Sequence, residues 1–217
     1  MPEFAPDLKP RLRGVLHQWA CVCSVPLGLV LVISAETTPA RIALSVYALS
    51  LMGLFGASAL YHRINWRSVT TREWMRRLDH SMIFVLIAGS YTPFAVIVLH
   101  GSLADAILVG VWAGALLGLV INLVWSDAPR WLQALLYVTL GWVAVAALPQ
   151  LAGAIGVGGM ILLGLGGVLY TLGAIVYTVK RPDPVPSVFG YHEVFHTLVI
   201  AAAALQCAVI AFWILPA

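Results

Sequence analysis

Stretches of about 20 residues with no Asp, Glu, Lys or Arg recur along this chain, and a helix of that length crosses about 30 Å of hydrocarbon. One soluble core cannot absorb them. Hydrophobic residues make up 61% of the 217 and charged residues 10%, against about 45–50% and about 25% in an ordinary soluble domain. The runs are continuously apolar and rich in Leu, Ala, Val and Gly, without the short alternating pattern of a transmembrane β-barrel. The expected fold class is therefore all-α, a bundle of membrane-crossing helices.

The first run, Val15–Ser34, follows Lys9, Arg11 and Arg13. It is longer than the roughly 7–15 apolar residues of a signal peptide, and no small-residue cleavage site follows it, so it reads as a membrane helix. Six more runs lie near 41–62, 78–99, 103–125, 131–150, 153–179 and 189–215. Breakers separate most of them: Thr37-Thr38-Pro39, His100-Gly101-Ser102, Ser126-Asp127-Ala128-Pro129 and the Pro-rich segment 181–186. Only Arg63 to Arg77 is a long charged connection. No linker divides the chain, so residues 1–217 read as a single seven-helix domain. The Gly-rich stretch 152–167 contains no Lys and reads as a close helix contact, not a phosphate loop.

Orientation follows from the basic residues, because positively charged loops stay in the cytoplasm. With seven spans and the N-terminus inside, eleven of the twelve Lys and Arg fall on the cytoplasmic side, from Lys9, Arg11 and Arg13 to Lys180 and Arg181. Only Arg41 falls outside. The C-terminus is then external. The same partition explains the net charge of +3 without invoking nucleic acid, for which there is no motif. Cys21, Cys23 and Cys207 sit in apolar runs, form no disulfide framework and read as small core residues.

Polar groups at the ends of apolar helices are costly there and point to function. His62 closes the second run, four residues after Ser58. Asp79 and His80 open the third, and His192 and His196 open the seventh. Residues four apart share a helix face, so His192 and His196 can offer two imidazoles to one ion. The seven-span topology brings the ends of the second, third and seventh helices to one depth near the cytoplasmic face. Three histidines plus a water is a common catalytic zinc arrangement. His192-Glu193-Val194-Phe195-His196 also fits the H-E-x-x-H pattern in which Glu is the general base. The usual downstream third ligand is missing, so Glu193 is not the preferred base. His80 lies about 100° around the helix from Asp79, which suits a supporting role. His17, near the entrance of the first span, and His100, in an external loop, read as ordinary residues.

Ser58-x-x-x-His62, Asp79 after an Arg pair, Ala88-Gly89-Ser90-Tyr91-Thr92-Pro93-Phe94, and Phe189-Gly190-Tyr191-His192-Glu193-x-Phe195-His196 together resemble the hemolysin III family. That is the bacterial branch of the progestin and adipoQ receptors, related to the alkaline ceramidases. The resemblance covers nearly the whole chain. It implies zinc held by His62, His192 and His196, with Asp79 and Ser58 near the metal-bound water, and hydrolysis of a lipid amide or ester. Related receptors carry a neutral residue where Glu193 stands, which argues against that Glu as base.

The expected function is thus a zinc-dependent hydrolase acting on membrane lipids at the cytoplasmic interface of the cell membrane. Asp79 takes a proton and Ser58 orients the water or the oxyanion. A receptor-like sensor with structural zinc is the alternative, although a structural site usually has four protein ligands. A channel or cytolysin ranks last, since it needs a polar path across the membrane that these runs lack.

Overall fold

The computed structural model describes residues 9–125 and 128–216. The Ser126-Asp127 half of one expected turn lies outside the described residues. Among those described, the chain forms helices α1 (Val15–Ser34), α2 (Thr38–Arg63), α3 (Val69–Pro93), α4 (Gly101–Val124), α5 (Arg130–Gly141), α6 (Leu148–Val179) and α7 (Tyr191–Val209). Short π-helical turns extend α3 over Phe94–Val98 and α7 over Ile210–Ile214, and a 3-10 segment, Trp142–Ala147, joins α5 to α6.

Six stretches are long and apolar enough to cross a membrane. Their outward faces suit lipid, since Ile33, Leu49, Val109, Val157 and Phe212 are each at least 65% exposed. Cys23 shares that outward fate on α1, and only Cys207 of the three cysteines is buried. The core reading of the cysteines is corrected accordingly: an apolar run in a membrane has two apolar faces, and composition does not say which one meets lipid.

The stretch Arg130–Val179 contains 50 residues, about 75 Å if straight, which is far more than one crossing needs. It doubles back. Arg130 stacks over the Tyr177 ring at 5.6 Å, and the Trp142 indole donates to Thr171 Oγ1 at 3.1 Å. The amide of Gln150 meets the backbone of His100, whose N–H donates to Gln150 Oε1 at 2.9 Å. The reversal needs a left-handed residue, and Gly156 supplies it with φ 59 and ψ −173. The hydroxyl of Tyr91 pins the irregular segment by accepting from Ala144 N–H at 2.7 Å and donating to the Gly141 carbonyl.

α3 begins at Val69, well before the apolar run at 78. Ser68 caps it by accepting from Thr71 N–H at 3.3 Å, and the helix runs through the polar residues that follow. Small residues set the registers that matter for function. A Cβ on Gly28 would stand 2.7 Å from that of Ala48, and one on Gly14 would stand 2.6 Å from that of His62, so α1 and α2 run antiparallel in close contact. A Cβ on Gly173 would stand 3.4 Å from the Phe195 ring and one on Gly158 3.3 Å from that of Trp213, a looser approach that pairs α6 with α7. Basic residues gather at the end where α2 stops and α7 starts. Partial burial, then the charges of Arg63, Arg13 and Arg72, hold the Lys9 amine below its usual pKa.

Candidate metal centre

The end of α2 and the start of α7 meet beneath the segment that leads into α1. Arg11 and Leu12 donate their backbone N–H groups to the carbonyls of Ser187 and Val188, each at 3.1 Å. Gly14, at φ 79, then lets the chain turn against His62 without a side chain in the way. Asp183 Oδ1 accepts from Tyr191 N–H at 2.8 Å, which anchors the first turn of α7.

His62, His192 and His196 are all buried, and one ring nitrogen from each falls within 4.8 Å of the others. Nε2 of His62 and Nε2 of His192 are 3.1 Å apart. Two nitrogens on a tetrahedral zinc at about 2.0–2.1 Å stand about 3.3–3.4 Å apart, so this spacing is close to what an ion requires. His196 Nδ1 and Ser58 Oγ are buried with no hydrogen-bond partner, a cost that native interiors rarely carry. A three-imidazole set beside a buried hydroxyl with unmet bonds fits a zinc ion with an open coordination position.

The other expected residues divide into two groups. Asp79 Oδ2 lies 3.5 Å from His62 Nε2, beside the three histidines, and Ser58 is one helical turn before His62 on α2. Glu193 is turned elsewhere. Fully buried, its Oε1 pairs with Arg13 Nε at 2.6 Å, and its Oε2 accepts from Gly190 N–H at 2.9 Å. This carboxylate caps α7 and ties it to the segment before α1. His80 points its ring at Tyr177, 6.3 Å between centroids, while its carbonyl accepts from the Tyr137 hydroxyl at 3.1 Å. His100 is exposed at the opposite end beside Gln150.

Two residues at the site escaped the sequence reading. Asn122 on α4 donates to the Arg77 carbonyl and to Ser81 Oγ, both at 2.8 Å, fixing α3 where it carries Asp79. A lone amide within an apolar run was the available signal. His17 stacks on His196, a contact between opposite ends of the chain that no local pattern announces.

A cavity of about 240 Å³ extends into the bundle from His192, Asp79, His17 and His80. It runs from Asp79 and His192 past Ile83 and Val199 toward Leu99 and Leu148. Its lining on α7 extends from His192 to Gln206, about 21 Å of helix. Its walls are overwhelmingly apolar, and its titratable histidines and carboxylate lie at one end.

The described residues are helical, with six stretches long and apolar enough to cross a membrane and a buried three-histidine cluster at one end, which makes this a multi-pass membrane protein with a candidate metal centre. It belongs to the haemolysin-III related family, whose sequence profile matches residues 7–207. Among its relatives, the hemolysin-3 homolog of Bacillus subtilis (strain 168) is 30% identical over 204 residues, covering 93% of this chain and 92% of the relative. Hemolysin-3 of Bacillus cereus is 31% identical over 207 residues, 94% and 91% of the two chains. The similarity extends to the adiponectin receptor protein of Drosophila melanogaster, 26% identical over 228 residues, 86% of this chain and 46% of that protein.

Proposed function

We propose that this protein is a zinc-dependent hydrolase of a membrane lipid amide or ester, crossing the membrane seven times with its N-terminus in the cytoplasm. The observation that carries the reading is the juxtaposition of three buried imidazoles, an adjacent carboxylate and an apolar cavity that His192 and that carboxylate, Asp79, line at one end. A zinc ion held by His62, His192 and His196 supplies Lewis-acid activation of a water and of a carbonyl oxygen. Asp79 is the base: it accepts the proton of the attacking water and returns it to the departing amine or alcohol. The Ser58 hydroxyl donates to the oxygen that gains charge at the carbonyl carbon. The cavity takes the acyl chain, and its depth keeps the scissile bond near the interface while the chain remains in an apolar medium. The pairing of Glu193 with Arg13 and Gly190 argues against it as the base.

Seven crossings are favoured by the doubling back of Arg130–Val179 and by the gathering of Lys9, Arg13, Arg63 and Arg72 at the histidine end. Reporter fusions after Ala35, His100 and Ala217 are expected to read as external, and those after Arg67 and Pro182 as cytoplasmic. A cytoplasmic C-terminus overturns the topology.

Metal analysis and a lipid screen test the chemistry together. The purified protein is expected to carry about one zinc per chain and to release fatty acid from an amide- or ester-linked membrane lipid, with release abolished by chelator and restored by zinc. Stoichiometric zinc without turnover of any lipid in the screen replaces the hydrolase with a receptor-like protein whose zinc is structural.

A further inference from the structure

His17 is outside the three-histidine set, yet the structure buries it against that set at 2% exposure. Its ring lies on that of His196, with centroids 3.7 Å apart and planes 12° from parallel. Phe55 covers it from α2 at 5.1 Å. Because Gly14 abuts His62, His17 stands about 4.5 Å further into the bundle along α1, and Ser58 stands about 6 Å further along α2. The two are nearly level, one turn past His62.

Two features separate His17 from a merely packed residue. A metal-bound imidazole is ordinarily held by a hydrogen bond from its other nitrogen to a carboxylate or carbonyl. With Nε2 taken as the nitrogen that joins the cluster, His196 has no such partner at Nδ1, so the stack is what holds that ring. Both ring nitrogens of His17 are also buried, and beyond an approach to the His196 backbone that falls short of good hydrogen-bond geometry neither has a partner, and an unmet donor is especially costly inside a membrane. Phenylalanine would give the same stack without that cost. A polar ring there calls for a polar ligand, and His17 lines the cavity together with Asp79 and His192.

We propose that His17 is a positioning residue of the metal centre: its stacked ring fixes the plane of His196, and its nitrogen edge seats a carbonyl or carboxylate oxygen of the lipid in the cavity. This rests on the reading of the histidines as a metal site and of the cavity as a lipid site. The two roles separate chemically, because Phe preserves the stack and removes the nitrogens, whereas Leu removes both.

The experiment uses the full chain in detergent micelles, loaded with Co²⁺ as a visible-absorbing probe, as wild type, His17→Leu and His17→Phe. His17→Leu is expected to bind Co²⁺ about 10- to 100-fold more weakly, the range for loss of an orienting partner, and to shift the visible bands. His17→Phe is expected to restore both the affinity and the bands. It should nevertheless bind palmitate roughly ten-fold more weakly than wild type, the effect of one lost hydrogen bond. Wild-type bands and affinity in His17→Leu overturn the positioning role, and wild-type palmitate affinity in His17→Phe overturns the lipid seat. Should His17→Leu fail to fold, the bands and palmitate affinity of His17→Phe still decide, because altered bands in a folded, stacked variant contradict the proposal. A wild-type protein that takes up no Co²⁺ overturns the metal reading itself, whereas uptake by wild type with no change in either variant overturns only the role of His17.

Discussion

His62→Ala is expected to reduce zinc from about one ion per chain to nearly none, with a loss of affinity beyond the 10- to 100-fold that removal of an outer hydrogen-bonding partner costs. His62 is the decisive ligand because it is 130 residues from His192 and joins it only through the packing of α1, α2 and α7. Two imidazoles from one helix face remain after the change, and they make a poor zinc site alone. The loss has a second readout. Metal that binds only the folded chain stabilises it by about 2.7 kcal/mol when free zinc is 100 times Kd, so chelator should lower the thermal midpoint of the wild type and leave the variant unmoved. His62→Gln controls for packing, since it preserves a long side chain against Gly14 without the imidazole. Undiminished zinc in both variants would remove His62 from the site and make Asp79, 3.5 Å from it, the first alternative ligand.

The membrane-crossing stretches are legible because burying uncharged runs in hydrocarbon leaves helix as nearly the only way to satisfy the backbone. The limits of that logic are visible in particular elements. α3 starts at Val69, nine residues before the apolar run at 78, where hydropathy carries no signal and a capping Ser does. The reversal within Arg130–Val179 uses Gly156, hidden among the many small residues of 152–167 that the sequence assigns to helix contact alone. Two of those, Gly158 and Gly166, do face α7, so one composition serves two purposes.

The centre is legible in the same uneven way. His192 and His196 announce themselves by spacing, and Asp79 by being a carboxylate at the head of an apolar run. Glu193 fits a protease pattern by its local letters, yet it is spoken for by Arg13, a partner from the other end of the chain. His17 reads locally as an unexceptional residue at a helix entrance, and only the antiparallel register of α1 on α2 carries it to His196. Contacts within one helix turn are written in the sequence, and contacts between helices depend on a register that small residues set at a distance.

Asp79→Asn and Glu193→Gln are expected to fail in opposite ways, which makes the pair the sharpest test of the chemistry. Asn keeps the shape of Asp79 next to His62 but cannot take a proton from water at neutral pH. Hydrolysis should fall about 100- to 10,000-fold, the usual contribution of a positioned general base, while bound zinc remains near one equivalent because the three imidazoles are intact. Gln at position 193 still accepts from Gly190 but leaves the Arg13 guanidinium, 19% exposed, without its counter-charge. Breaking a buried pair from one side costs on the order of 3 kcal/mol, so Glu193→Gln should lower the thermal midpoint and the yield of folded protein, with turnover per zinc-loaded molecule near that of the wild type. Normalising activity to bound zinc separates the two effects. Full activity per zinc in Asp79→Asn, with none in Glu193→Gln, would make Glu193 the base and require the Arg13 pair to open before each turnover.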